Sequence, residues 1–193
     1  MSRRAEIADA AISTLARDGM RGLTHRAVDR AAGLPEGSAS YYFRTRQALL
    51  QATVERLAEL DSTDILPSTS LPVLSGQELD TFAAAAAAII EGWLTTGRER
   101  QLARYELSLE ANRRPELRQT LVTTGAAIRV VIAGRLAAAG VPEPEQRAAD
   151  FAAFIDGLLF DQIAGAGTRE LTSSDLRAAI GTLLAAVTGP APS

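Results

Sequence analysis

Apolar residues recur at intervals of three and four along most of the chain, and no segment sustains an alternation of period two. This limits the fold more than any other feature, because period 3.6 marks one face of a helix and period 2 one face of a strand. Ile7, Ala11 and Leu15 lie four apart, and Leu49, Leu50, Val54, Leu57 and Leu60 form a second stripe. Glycine and proline punctuate the pattern. The sequence therefore predicts an all-α chain of about nine helices. One runs from Arg3 to Asp18 and is stopped by Gly19. Two short ones fall within Thr24–Phe43, and a fourth starts near Thr45. Five more follow: Glu78–Thr96, Arg98–Arg113, one from Pro115 to Gly140, Pro144 to about Gly165, and Ser174–Thr188.

The Thr24–Phe43 stretch, THRAVDRAAGLPEGSASYYF, carries the functional signal. Thr24 is placed to cap the first short helix through its side-chain oxygen. Ala27, Val28, Ala31 and Ala32 give that helix a thin apolar face. Gly33 ends it, and Pro35 suits the start of the next. The second helix sets Ala39, Tyr42 and Phe43 on one side and Ser38, Ser40 and Tyr41 on the other. It is too short to be stable alone. A short helix propped by neighbours, with small hydrogen-bonding groups turned outward, has the layout of a helix-turn-helix, whose second helix enters the DNA major groove.

Ala32-Gly33-Leu34-Pro35-Glu36-Gly37-Ser38, followed by Tyr41-Tyr42-Phe43, resembles the signature of TetR-family transcriptional regulators. The flanks agree: a helix ending in Arg17-Asp18-Gly19 precedes the motif, and Thr45-Arg46-Gln47-Ala48-Leu49-Leu50 opens the helix after it. The match covers roughly Arg3 to Leu60. Ser40 stands where many members carry an aromatic residue, and Pro35 where a serine or threonine cap is common. The resemblance implies a DNA-binding domain in front of a helical effector-binding and dimerisation domain, and a palindromic operator read by a homodimer.

Charge agrees with a DNA-binding N-terminal part. The net charge is −3, but residues 1–61 hold nine arginines and eight acids, and residues 62–193 hold eleven arginines and fifteen acids. Residues 1–46 alone carry eight arginines against five acids, a net +3. The sign is right for a nucleic-acid face. Every basic side chain except His25 is arginine, which suits bidentate phosphate and guanine contacts. Thr24, Tyr41 and Arg46 are expected at the DNA backbone, and Arg26, Ser38 and Ser40 at base edges. His25 reads as an exposed first-turn residue.

The chain has 193 residues, 47% of them apolar, enough for one large domain or two small ones with a real core. There is no cysteine, so disulfides and thiolate metal sites are excluded, and a lone histidine builds no metal centre. No Ser/His/Asp order or glycine-rich phosphate loop is present, so neither an enzyme nor a cofactor is expected. The longest apolar run, Phe82–Ile90, is too short to cross a bilayer, and no signal peptide is seen. The expectation is a soluble cytoplasmic protein without a membrane partner.

Pro67 and Pro72, set among serines and threonines, mark residues 62–77 as a loop or linker. The expected division is therefore 1–61 for DNA binding (motif 24–43) and 78–193 for effector binding and dimerisation. Phe82, Trp93, Tyr105, Phe151 and Phe154 are core on the plain reading, with Leu109 on the same helix face as Tyr105 and Glu106 a surface partner for an arginine. The resemblance makes them lining for a small-molecule effector cavity. The helix from Pro144 is apolar most of the way round, and the last helix has small residues on a second face, so both need a further partner. Phe160, Ile163, Ile180, Leu183, Leu184 and Val187 are the expected dimer residues. The resulting expectation is a sequence-specific transcriptional regulator, a repressor released by an effector. The alternative is a helical small-molecule carrier or interaction scaffold that does not bind DNA.

Overall fold

The computed structural model describes residues 2–65, 76–167 and 170–188, with 76–79 as backbone only. Nine helices and no strand occur among the described residues: α1 (Arg3–Gly22), α2 (His25–Ala31), α3 (Ser38–Tyr42), α4 (Arg46–Ile65), α5 (Gly76–Leu94), α6 (Arg98–Ala111), α7 (Pro115–Ala138), α8 (Pro144–Ile163) and α9 (Ser173–Thr188). The all-α reading of the periodicity is what the chain adopts. Gly19 leaves helical geometry at φ 64°, ψ −173°, which separates a final turn from the body of α1. The stretch read as a loop at 62–77 is shorter at both ends. α4 continues through Ser62 to Ile65, and α5 starts at Gly76. Residues 66–75 lie outside the described residues.

The chain forms two compact units, Met1–Ser62 with Thr96–Gly125, and Thr63–Thr95 with Ala126–Ser193. In the first, α1 packs on α2 and α6, and α2 packs on α3. Ile7, Ala11, Leu15, Val28, Ala39, Phe43, Leu49, Leu50, Val54 and Leu57 share one core with Ala103, Leu107, Ala111 and Leu117 of the later helices. Directional contacts pin this core. Arg56 on α4 makes a two-pronged contact with Asp9 on α1, Nε to Oδ1 at 2.8 Å and Nη2 to Oδ2 at 3.1 Å. That pairing, Asp9 first among its causes, raises the Arg56 pKa.

In the second unit α5 packs on α8 and α9, and α8 packs on α9. Ala83, Ala87, Ile90, Trp93, Phe151, Ile155, Leu159, Ile163, Leu176, Ile180, Leu184 and Val187 are buried. α7 is long and apolar enough to span a bilayer. The reading from uninterrupted runs missed this because Arg118, Arg129 and Arg135 break the run along its length.

Candidate nucleic-acid interface

Thr24 adopts extended geometry before α2 and accepts the Ala27 N–H at 3.1 Å through Oγ1. Its hydroxyl proton stays free and its side chain is exposed. Ala27 and Val28 bury the inner face of α2. Gly33, at φ 65°, then lets the chain leave the helix. The next helix does not begin at Pro35 as its sequence suggests. Pro35 opens a turn in which its carbonyl accepts the Ser38 N–H at 3.1 Å. Gly37, at φ 95°, is the N-cap of α3. An L side chain is strained at that φ, so the reversal needs glycine.

A glycine cap has no side chain, and α3 makes no cap hydrogen bond of its own. Asp29 on α2 fills that role. Its carboxylate is 2% exposed and accepts the Gly37 N–H at 2.8 Å and the Ala39 N–H at 2.7 Å. The far end of α3 is tied down as well. Arg4 donates to the Tyr42 carbonyl at 3.2 Å, and its guanidinium lies 4.5 Å from the centre of the Phe43 ring. His25 Nε2 donates to the Phe43 carbonyl at 2.7 Å. His25 is thus partly buried and structural, which corrects its reading as an exposed first-turn residue.

Ala39 and Phe43 face inward, and Tyr42 is partly buried. Tyr41 is 78% exposed, with its ring edge-on to Tyr42 at 5.2 Å. Ser40 is exposed and Ser38 partly so. Ser38 Oγ donates to the Pro35 carbonyl at 2.6 Å and Ser40 Oγ to the Gly37 carbonyl at 2.9 Å. Both hydroxyls therefore offer lone pairs outward. Arg26 is exposed but paired with Glu36 at 2.5 Å, in a solvent-screened contact that phosphate can replace.

Arg46 departs from the reading of the sequence. Its guanidinium turns inward and donates to the carbonyls of Leu23 and Met20. It joins the first turn of α4 to the end of α1, and it is withdrawn from the face it was expected to serve. Arg44, which is exposed, is the neighbouring arginine with an open side chain. Asp29, His25 and Arg4 were missed as supporting residues. The available signal was an acid inside the apolar run of α2, ahead of a glycine-led turn with no side-chain cap.

The expected effector residues fall in both units. Tyr105, Glu106 and Leu109 belong to the first, and Phe82, Trp93, Phe151 and Phe154 to the second. Glu106 accepts the Met20 N–H at 3.2 Å and so holds the last turn of α1 beside Gly19, a structural use of one of its carboxylate oxygens. Leu109 is exposed. In the second unit the Phe82 and Phe151 rings meet at a tilt of 55° with centres 6.3 Å apart, and the Trp93 indole donates to Asp64 at 2.9 Å. Gln101 on α6, absent from the expected set, is fully buried with both side-chain polar atoms lacking a hydrogen-bond partner.

The expected dimer residues also divide. Ile163, Ile180, Leu184 and Val187 are buried within the chain's own second unit, so they are core rather than interface. Phe160 stays 46% exposed, and Phe154, expected in a cavity, is 55% exposed six residues earlier on α8. Both are turned to solvent because the opposite side of α8 already carries Phe151, Ile155 and Leu159.

A short helix held at both ends by polar ties, polar on its open side and preceded by a capped helix and a glycine turn, is a helix-turn-helix reading head. The chain is a DNA-binding transcriptional regulator. Residues 7–53 match the family profile of the bacterial regulatory proteins of the tetR family, and residues 77–189 match that of the tetracyclin repressor-like C-terminal domain. The chain belongs to the TetR family.

Solved structures agree in fold. A transcriptional regulator from Rhodococcus sp. Rha1 is 21% identical over 96% of both chains, with a TM-score of 0.80. A TetR-family member from Streptomyces coelicolor A3 is 27% identical over 95% of this chain and 98% of its own, at 0.72. The multidrug binding protein EbrR, solved with imidazole, is 26% identical over 100% of this chain and 98% of its own, at 0.69. Comparison with curated protein sequences returned no match.

Proposed function

We propose that this regulator is a homodimeric repressor that binds a palindromic operator and leaves it when a small molecule binds. The observation that carries the reading is the outward side of α3, where Ser40 and Tyr41 are open to solvent while Ala39 and Phe43 anchor the helix from behind. Thr24, Tyr41 and Arg44 take phosphates, and Arg26, Ser38 and Ser40 meet base edges. Two such heads, one helical turn of DNA or a multiple of it apart, require a twofold dimer. The exposed Phe154 and Phe160 on α8, with Ala178 and Ala185 exposed on α9, support pairing through these two helices.

Effector release draws on two supports. EbrR has been solved with imidazole, ethidium, malachite green or proflavin, so a related helical body holds small molecules. In this chain, the buried unpartnered amide of Gln101 lies one turn from Arg104, which pairs with Asp61 of α4. A buried amide without partners costs free energy that a hydrogen-bonding ligand recovers. Such a ligand acts on the DNA head through α4 by binding one setting of that helix better than the other. Residues 1–61 then serve DNA binding and 78–193 effector binding and dimerisation, in the cytoplasm where the operator lies.

The test is selection of bound DNA from a random pool, repeated with candidate small molecules present. A palindromic consensus is expected, with binding that weakens steeply as salt rises. Recovery of no enriched sequence would sink the reading.

A further inference from the structure

We propose that Asp29 sets this protein's DNA-sequence selectivity without touching DNA, by fixing the register of the recognition helix through the Gly37 and Ala39 amides. The inference rests on the DNA-reading role of α3 argued above.

α3 has five residues and a cap without a side chain. Its inward contacts through Ala39 and Phe43 are apolar, and apolar contacts tolerate small slides and rolls. Hydrogen bonds do not. Three amides at the start of α3 are engaged: Gly37 and Ala39 on the Asp29 carboxylate, and Ser38 on the Pro35 carbonyl. Of these acceptors, Asp29 is the one on another helix. It is therefore the directional tie from α2 to the start of α3, the end that carries Ser38 and Ser40, while His25 ties the far end at Phe43. Reading a base edge demands that Ser38 and Ser40 be held to roughly half an ångström. Gripping phosphate demands less. Thr24 is placed by its own cap on α2, and Tyr41 and Arg44 reach phosphate through long exposed side chains that absorb a small shift of α3.

A second consequence follows from the same geometry. With their protons committed to Asp29 and Pro35, the Gly37, Ser38 and Ala39 amides are not available to a phosphate. Phosphate anchoring at these three positions then falls to side chains.

Asp29→Asn keeps the volume, loses the charge, and turns an NH2 group toward one of the two amide donors. Operator affinity should fall about tenfold, the size expected for losing one charge-assisted hydrogen bond. Affinity for random duplex should stay within about twofold, because the phosphate contacts remain. Asp29→Ala should act in the same direction and further. Far-UV circular dichroism and a thermal melt report whether each variant is folded. Hydrogen exchange of the Gly37 and Ala39 amides in DNA-free protein reads the clamp directly, and both should exchange faster in the folded Asp29→Asn variant. A purely structural role would lower operator and random-DNA affinity by the same factor, and that result overturns the proposal. Equal operator selectivity in wild type and variant overturns it too, while leaving DNA reading by α3 intact. Wild-type protein with no preferred sequence would sink both.

Discussion

The recognition helix and the last two helices pose opposite burial problems. α3 has one apolar side and one polar side, so a single set of contacts decides which way it faces. α8 and α9 have apolar residues nearly all round, and their own unit covers only part of them. In α3 the exposed groups are polar. In α8 the exposed groups are Phe154 and Phe160, which have no reason to face water in an isolated chain. An outward polar face is set up for a ligand that brings its own charge and hydrogen bonds. An outward aromatic face is set up for another protein surface.

This contrast breaks most readily in the core of the second unit. Ile180 is fully buried, and Ile180→Ala should destabilise by about 2–5 kcal/mol in a denaturant titration. A loss below about 1 kcal/mol would mean that α9 is not packed as described. Replacing both Phe154 and Phe160 by arginine should do the reverse. The fold should survive, sedimentation should report a monomer, and operator affinity should drop by about a hundredfold as the second head is lost. A dimer that persists would place the interface elsewhere.

Period and punctuation made the helices legible in the sequence, and motif order made the reading head legible. Thr24 caps and Gly33 turns as their types require, since both effects are local. What the sequence could not convey depends on neighbours distant in the chain. Ile163, Ile180, Leu184 and Val187 fit an interface as well as a core, because an all-round apolar helix does not say which side meets its own unit. Arg46 fits a phosphate contact until the Leu23 and Met20 carbonyls are placed beside it. Asp29 is an ordinary helix acid until the Gly37 and Ala39 amides come within reach.

Arg46 and Tyr41 sharpen the contrast within the DNA head itself. Arg46→Gln removes two inward hydrogen bonds, so stability should fall by about 1–3 kcal/mol. The salt dependence of DNA binding should not change, whereas Arg44→Gln should reduce that slope by about one. A lower slope for Arg46→Gln would return Arg46 to the DNA face. Tyr41→Ala should leave the melt unchanged, because the ring is mostly exposed. It should weaken binding to all DNA by about fivefold, the worth of one neutral hydrogen bond. Unchanged affinity in titration would remove Tyr41 from the contact set.

The smallest effect concerns Arg113 and Arg114, in the turn between α6 and α7. Glu110 accepts the Arg114 Nε–H at 2.6 Å and lies 3.5 Å from Arg113, with most of its side chain covered. These contacts, the Arg114 hydrogen bond first, hold the Glu110 pKa below the ordinary glutamate value. A depressed carboxylate pKa adds stability above the unfolded value of about 4.3, and that addition disappears as pH falls through the folded value. The difference between wild type and Glu110→Gln should therefore be constant from neutral pH down to about pH 5 and vanish in more acidic solution. Arg114 is 41% exposed, so solvent screening keeps the plateau below about 1 kcal/mol. A difference that grows toward acid would contradict the sign of the shift. No difference at any pH would leave the α6–α7 turn to its backbone hydrogen bonds, Arg113 to Glu110 and Arg118 to Arg114, and would make these charges solvated bystanders.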